Sequence, residues 1–138
     1  MTLTEIMLAT TLAAGLAVPA ILAASAGADR ARVTTVQAAV LEAYRTAQAA
    51  ARAQGRPATV AIALDSIVVR SLGTADTVVV LRQPGPAAAG VSLTPAGHVA
   101  TFGPNGLATG AANVTHRLAR GATVRQVVVS RLGRARTS

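Results

Sequence analysis

The chain has 138 residues, which is enough for one domain and too few for a multidomain machine or a large barrel enzyme. Hydrophobic residues make up 51%, but Trp is absent and Phe and Tyr occur once each, so any core must be built from Ala, Val, Leu and Ile. There is no Cys and no Lys. Their absence excludes disulfides, thiolate metal sites, a Walker-type phosphate loop and Schiff-base chemistry.

The net charge of +8 is concentrated in the second half of the chain. Residues 66–138 carry eight Arg and one acidic residue, whereas residues 1–65 carry five Arg and four acidic residues. Six arginines follow one another without an intervening acid: Arg117, Arg120, Arg125, Arg131, Arg134 and Arg136. Such a run predicts contact with a polyanion or an acidic protein surface, and its alternative is a solvated basic face.

The first predicted element is an uncharged helix. Residues 6–28 form a run of 23 residues without formal charge, long enough to cross a hydrocarbon core of about 30 Å. A cleaved signal peptide is the rival interpretation, because Ala24-Ser25-Ala26 has the small-x-small pattern of a cleavage site. The lack of a basic segment before the run argues against it. Glu5, the only charged side chain there, requires a positive partner if the run is a membrane helix.

The best partner for Glu5 is the positive α-amino group of another copy of the chain, packed alongside with a small axial offset. The segment reads Met1-Thr2-Leu3-Thr4-Glu5-Ile6-Met7 and resembles the mature N-terminus of the type IV pilin and pseudopilin family. The resemblance implies a leader removed by a dedicated peptidase, N-methylation, single-pass insertion in the bacterial inner membrane, and assembly with other subunits through Met1 and Glu5. Met1 is then the mature first residue, or it is an initiator and the processing site is missing.

The helical pattern continues beyond residue 28 but becomes amphipathic. Apolar residues recur at steps of three and four: Val33, Val36, Val40, Tyr44, Ala47 and Ala51. Gly55 followed by Pro57 is a stop signal. One helix is therefore predicted over residues 3–53. Residues 1–28 form its membrane or filament-core half, and residues 29–54 form an amphipathic half beneath a globular head.

Residues 55–138 form the predicted head. Short β-branched runs predict seven strands, at residues 59–64, 67–71, 77–82, 91–93, 98–102, 114–118 and 123–130. A loop is expected at residues 83–90, and Gly103-Pro104-Asn105-Gly106 is a strong turn signal. The predicted fold class is α+β, with a long N-terminal helix packed on an antiparallel β-sheet head that ends in a basic tail.

Beyond the N-terminal segment, the resemblance becomes specific to two groups within this family. Residues 41–62, 101–108 and 125–136 are similar to the helix end, a turn and the last strand of two related groups. These groups are the FimT-like minor pilins and the H-type minor pseudopilins of type II protein secretion. Both can end in Gly-Arg-x-Arg, which matches Gly133, Arg134 and Arg136 here.

In FimT-like proteins of competent bacteria that ending is associated with DNA binding during natural transformation. The resemblance places such a role on Gly133, Arg134 and Arg136, and Arg131 belongs to the same basic tail. An arginine fork suits a phosphate, and residues two apart in an extended chain project to the same side about 6.6 Å apart. The scarcity of aromatic residues predicts sequence-independent phosphate contact. A secondary basic face is expected at Arg117, Arg120 and Arg125.

No enzymatic chemistry, metal site or cofactor is predicted. His98 and His116 are the only histidines, the acids number five, and no G-x-S-x-G or paired-carboxylate motif occurs. The sequence predicts a non-enzymatic subunit of a type IV pilus-like filament at the inner membrane, periplasm or cell surface, with DNA as a partner of its tail. The first alternative is an H-type pseudopilin whose basic face docks acidic partners. The second is a secreted β-domain cleaved after Ala26.

Overall fold

A computed structural model of the chain describes residues 2–110 and 112–138, except for the side chains of residues 9 and 12–18. Helix α1 spans Leu3–Gln54, 52 residues, or about 78 Å at 1.5 Å per residue. It ends at Gly55, whose φ of 59° is left-handed and favours glycine, and the backbone N–H of Arg56 closes the last turn on Ala51 O. The predicted single helix and its stop signal are confirmed.

The C-terminal half of α1 supplies one side of the core. The six positions of the predicted apolar stripe, from Val33 to Ala51, are all buried. They pack against strands of both sheets of the head, with the ring of Tyr44 edge-on to Phe102 at a centroid separation of 6.4 Å. The periodicity of 3.6 residues therefore identified the buried face of this half of the helix correctly.

The head contains two antiparallel sheets. The sequence predicted an antiparallel sheet but did not indicate that the strands would divide into two. The first sheet has the order β3-β2-β1-β5-β6 and the second has the order β4-β7-β8-β9. The strand bounds are β1 Ala58–Ala63, β2 Ser66–Leu72, β3 Thr77–Pro84, β4 Ser92–Thr94, β5 Gly97–Phe102, β6 Ala108–Thr109, β7 Val114–Arg120, β8 Thr123–Val129 and β9 Ala135–Thr137.

All seven predicted strands are present, with ends shifted by at most two residues. Strands β6 and β9 were missed because each is short and neither has an alternating apolar pattern. The predicted loop at residues 83–90 begins within β3 and contains a short 3₁₀ helix, Pro86–Ala89.

The core lies between α1 and the two sheets. Sheet residues such as Val60, Ile62 and Val69 face it from the first sheet, and Leu118 and Val127 face it from the second. Aliphatic side chains dominate, as the composition predicted, and Tyr44 and Phe102 are its largest members.

Candidate functional site

The basic tail is folded against the second sheet. Strand β9 pairs with β8, which places Arg136 opposite Val128. Residues 130–134 form a turn, here called the tail turn, in which Ser130 N–H donates to Arg134 O at 3.0 Å and Gly133 N–H donates to Ser130 O at 2.8 Å. The backbone N–H of Arg134 also donates to Ser130 Oγ at 3.1 Å. These bonds hold Arg134 and Arg136 on an ordered backbone.

Gly133 is required for packing inside the fold. It is buried, its φ of 84° is left-handed, and a Cβ built on it would overlap Cε1 of Phe102 and lie 2.9 Å from Cβ of Ala108. The tail turn is tied to β6 at the same point, because Ala108 N–H donates to Leu132 O at 3.3 Å. The Cα of Gly133 therefore faces Phe102, and this packing is a reason for glycine at the position.

Arg134 and Arg136 line one groove of about 640 Å³. We call it the arginine groove, and its walls are Gln48, Arg52, Leu107, Val128, Ser130, Leu132, Arg134 and Arg136. None of the five acidic side chains of the chain belongs to its described lining. The groove therefore carries three positive charges without a compensating acid, which favours an anionic ligand. Arg131 is exposed in the tail turn but does not line it.

The helix contributes two groove residues that the sequence analysis missed. Gln48 Nε2 donates to Gly106 O at 2.7 Å, and Arg52 Nε donates to Asn105 O at 3.4 Å. These bonds hold the end of α1 against the turn between β5 and β6. Arg45 extends the basic surface, because it lines a smaller adjoining hollow that also includes Arg134. The spacing of Arg45, Gln48 and Arg52, at steps of three and four, was the available signal.

The predicted secondary basic face is not formed as one surface. Arg125 pairs with Leu118, and paired residues of neighbouring strands lie on the same face of a sheet. Arg117 is next to Leu118 in β7, so its side chain points to the opposite face. Arg117 and Arg125 therefore lie on different faces of the second sheet. Arg120 is used within the fold, since its Nε donates to Asp29 Oδ1 at 2.6 Å. These three arginines therefore occupy three different environments.

A buried polar cluster joins the helix to both sheets. Tyr44 Oη and His116 Nε2 are hydrogen-bonded at 2.7 Å, and the rings of His116 and His98 lie 5.6 Å apart. His116 is fully buried, and burial, together with the neighbouring His98, lowers its pKa from 6.5 to about 4. Burial also lowers the pKa of His98 and raises that of Tyr44. From the sequence, neither histidine was assigned to a site.

The residues assigned to assembly lie at the N-terminus. Met1 is outside the described residues. The Glu5 carboxylate accepts a hydrogen bond from the backbone N–H of Thr2 at 3.0 Å, and Glu5 lies in the first turn of α1. Within one chain, Glu5 therefore caps the helix and its negative charge is favourable at the positive end of the helix dipole.

The head leaves the described side chains of the N-terminal half of α1 uncovered. The large apolar ones are between 47% and 77% exposed: Leu3, Ile6, Met7, Leu8, Ile21 and Leu22. Within the searchable part of the chain, which omits the undescribed positions, no helix meets the length and hydropathy expected of a membrane span. In a monomer these six apolar side chains are therefore left in contact with the surroundings.

The described residues contain no group of three or more His, Cys, Asp or Glu side chains placed to hold a metal ion. The arginine groove contains guanidinium groups, one amide and one hydroxyl, and its described lining includes no carboxylate or imidazole. Guanidinium groups bind and orient anions, but they do not exchange protons near neutral pH. The arrangement is therefore suited to binding an anion.

Comparison with solved structures identifies the fold. The chain matches a crystal structure of the type IV minor pilin FimU of Pseudomonas aeruginosa with a TM-score of 0.65 and 16% identity, over 79% of this chain and 90% of that chain. A second crystal form of that pilin matches with a TM-score of 0.56 and 14% identity, over 78% and 90% of the two chains. No protein-family model and no curated protein matches the sequence. The protein has a type IV pilin-like fold, as predicted.

Proposed function

We propose that the protein is a structural, non-catalytic subunit of a type IV pilus-like filament. The observation that carries the proposal is a pilin-like fold in which the large apolar side chains described in the N-terminal half of α1 are exposed. Burying such a surface against identical or related helices is favourable by roughly 25 cal/mol per Å². Before assembly, the same half is proposed to lie in the inner membrane, after removal of any leader that precedes Met1 and methylation of the first residue.

Glu5 is proposed to pair with the N-terminal amine of a neighbouring subunit. Its carboxylate is exposed at the end of the helix and makes one described hydrogen bond, to Thr2, so its remaining acceptor capacity is available to an ammonium group. In the dry centre of a helix bundle, an acid without its partner is strongly unfavourable. Charge neutralisation would therefore favour one axial offset between neighbouring subunits.

Incorporation into filaments tests the structural role. The full chain is expressed in a bacterium that assembles type IV pili, and surface filaments are sheared off and probed for it. The wild-type chain is expected in the sheared fraction, and Glu5→Gln is expected to lower its amount more than about tenfold because the amine is left unpaired. Glu42→Gln, which removes an exposed acid from the head half of the same helix, should assemble normally. Absence of the wild-type chain from filaments would contradict the proposal.

The arginine groove is proposed to bind the phosphate backbone of DNA. Arg52, Arg134 and Arg136 converge on one groove, and guanidinium groups bind phosphate oxygens through paired N–H donors. The described lining contains no aromatic ring on which a base could stack. Backbone contact without base readout therefore predicts binding that is independent of sequence and steeply dependent on salt.

Loss of the tail charges is expected to weaken DNA binding. Arg134→Gln combined with Arg136→Gln should lower the affinity of the detergent-solubilised full chain for duplex DNA by roughly 50-fold at about 0.1 M salt, and flatten the salt slope by about 2. Arg52→Gln alone should flatten it by about 1. Fluorescence anisotropy across a salt series measures both quantities. Arg56→Gln with Arg82→Gln, which removes two exposed arginines outside the groove, is the matched control.

The alternative partner is an acidic protein surface, as in an H-type minor pseudopilin of type II secretion. It uses the same fold and the same groove, but the groove would then dock an acidic neighbouring subunit. Failure of the wild-type chain to bind DNA at low salt would favour this alternative. Mass spectrometry of the mature N-terminus tests the secreted form, because cleavage after Ala26 would remove the apolar half of α1.

A further inference from the structure

A second basic cavity lies beside the middle of α1, far from the arginine groove. It has a volume of about 490 Å³ and lies between residues 23–30 of the helix and the turn that joins β7 to β8. We call it the hairpin cleft, and its two charged residues are Arg30 and Arg125. Arg30 is about 33 Å along the helix axis from Arg52, so the two sites are independent.

The hairpin is fixed to the helix at this point. Arg120 Nε donates to Asp29 Oδ1 at 2.6 Å, and its Nη1 donates to the carbonyls of Ala89 and Gly90 at 2.9 and 3.1 Å. The turn also passes close to the helix, because a Cβ at Gly121 would lie 2.6 Å from Asp29 Oδ2. The cleft is therefore a defined feature of the fold.

The ion pair between Arg120 and Asp29 also affects the charge of the cleft. Asp29 is the acidic residue nearest in sequence to Arg30, and its carboxylate is neutralised by Arg120. No acidic residue belongs to the described lining of the cleft. Arg30 and Arg125 are both exposed, so they present two positive charges that the described surroundings leave uncompensated. An anion is the complementary ligand.

The apolar wall of the cleft points to a particular kind of anion. Ala23 and Gly27 line it from within the uncharged run of residues 6–28, and the side chain of Val124 is 41% exposed beside Arg125. Arg30 is the first basic residue after that run and is separated from it by Asp29 alone. One side of the cleft is thus cationic and the other apolar, at the level where the proposed membrane helix would leave the bilayer.

We propose that the hairpin cleft binds the head group of an anionic phospholipid before the subunit enters a filament. The phosphate would lie between Arg30 and Arg125, and the glycerol end of the acyl chains would contact the wall that includes Ala23 and Val124. This inference rests on the proposed function, because it needs residues 6–28 in the inner membrane. Bound lipid fixes the height of the head above the membrane, while the arginine groove remains exposed to its own ligand.

Lipid retention tests this site directly. The full chain is reconstituted in vesicles of phosphatidylcholine and phosphatidylglycerol, extracted in mild detergent, and examined by native mass spectrometry. The wild-type chain is expected to retain one phosphatidylglycerol, and Arg30→Gln with Arg125→Gln is expected to lower that occupancy roughly tenfold. Arg56→Gln with Arg82→Gln removes the same charge outside the cleft and should retain the lipid. Circular dichroism of each variant confirms that the sheets are intact.

The other outcomes separate the two proposals. Equal retention by all three proteins would overturn the lipid site while the inserted chain still supported the membrane stage. Occupancy of the cleft by inorganic phosphate without phosphatidylglycerol would overturn the assignment to lipid. Failure of the wild-type chain to insert into vesicles would overturn both this inference and the proposed membrane stage.

Discussion

Replacing Gly133 by alanine is expected to destabilise the head by about 3 kcal/mol. About 1–2 kcal/mol comes from holding a residue with a Cβ at a left-handed φ, and about 1–3 kcal/mol comes from overpacking. The new Cβ would overlap the ring of Phe102, which is fully buried and contacts Tyr44 edge-on. Urea unfolding of the full chain in detergent, followed by circular dichroism, measures the free energy of unfolding.

Gly97→Ala is the matched control for this change. Gly97 is exposed, has no positive φ, and a Cβ built on it meets nothing within 4 Å among the described atoms. The control should alter stability by less than about 1 kcal/mol. Equal effects of the two changes would contradict the packing role given to Gly133. Because Gly133 precedes Arg134, Gly133→Ala is also expected to displace that side chain from the arginine groove.

The head is expected to lose about 3 kcal/mol of stability on acidification, through His116. The folded-state pKa of His116 is about 4, below the value of 6.5 in an unfolded chain, because the ring is buried. The unfolded state therefore binds the proton more tightly. Stability from the neutral ring is complete above pH 6.5, is lost as the pH falls from 6.5 to about 4, and changes little further below that value.

His116→Leu isolates this contribution. The variant should be less stable at neutral pH, because the buried Tyr44 hydroxyl loses its partner at 2.7 Å, but it should lack most of the pH dependence between 6.5 and 4. Titrating carboxylates and His98 are common to both proteins, so the difference between the two unfolding curves reports His116. Parallel pH curves would show that His116 is not the group responsible.

The sequence predicted those features that depend on local periodicity. The stripe from Val33 to Ala51 specified the buried face of α1, because a helix repeats every 3.6 residues. Alternating β-branched runs specified seven strands, and the Gly103 to Gly106 segment specified a turn. Local rules did not reveal β9, because its three residues Ala135–Thr137 become a strand only through pairing with β8.

The candidate site was only partly visible in the sequence. The sequence singled out Arg134 and Arg136 as a pair, and both line the arginine groove, although Arg134 lies in the tail turn and Arg136 in β9. The contribution of Arg52 was missed, since a helix end and a tail separated by more than seventy residues meet only in the folded head. The same limit explains Arg120, whose partner Asp29 lies 91 residues earlier in the chain.

The sequence by itself therefore determined the fold class, the order of the elements and the positive charge of the tail, because each is encoded by neighbouring residues. Tertiary structure alone decided which arginines lie together, because cross-strand register separates Arg117 from Arg125 and an ion pair occupies Arg120. It also decided the role of Gly133, where glycine is required because Phe102 occupies the space that a side chain would need. These features depend on packing between residues that are distant in sequence, and local sequence patterns do not encode such packing.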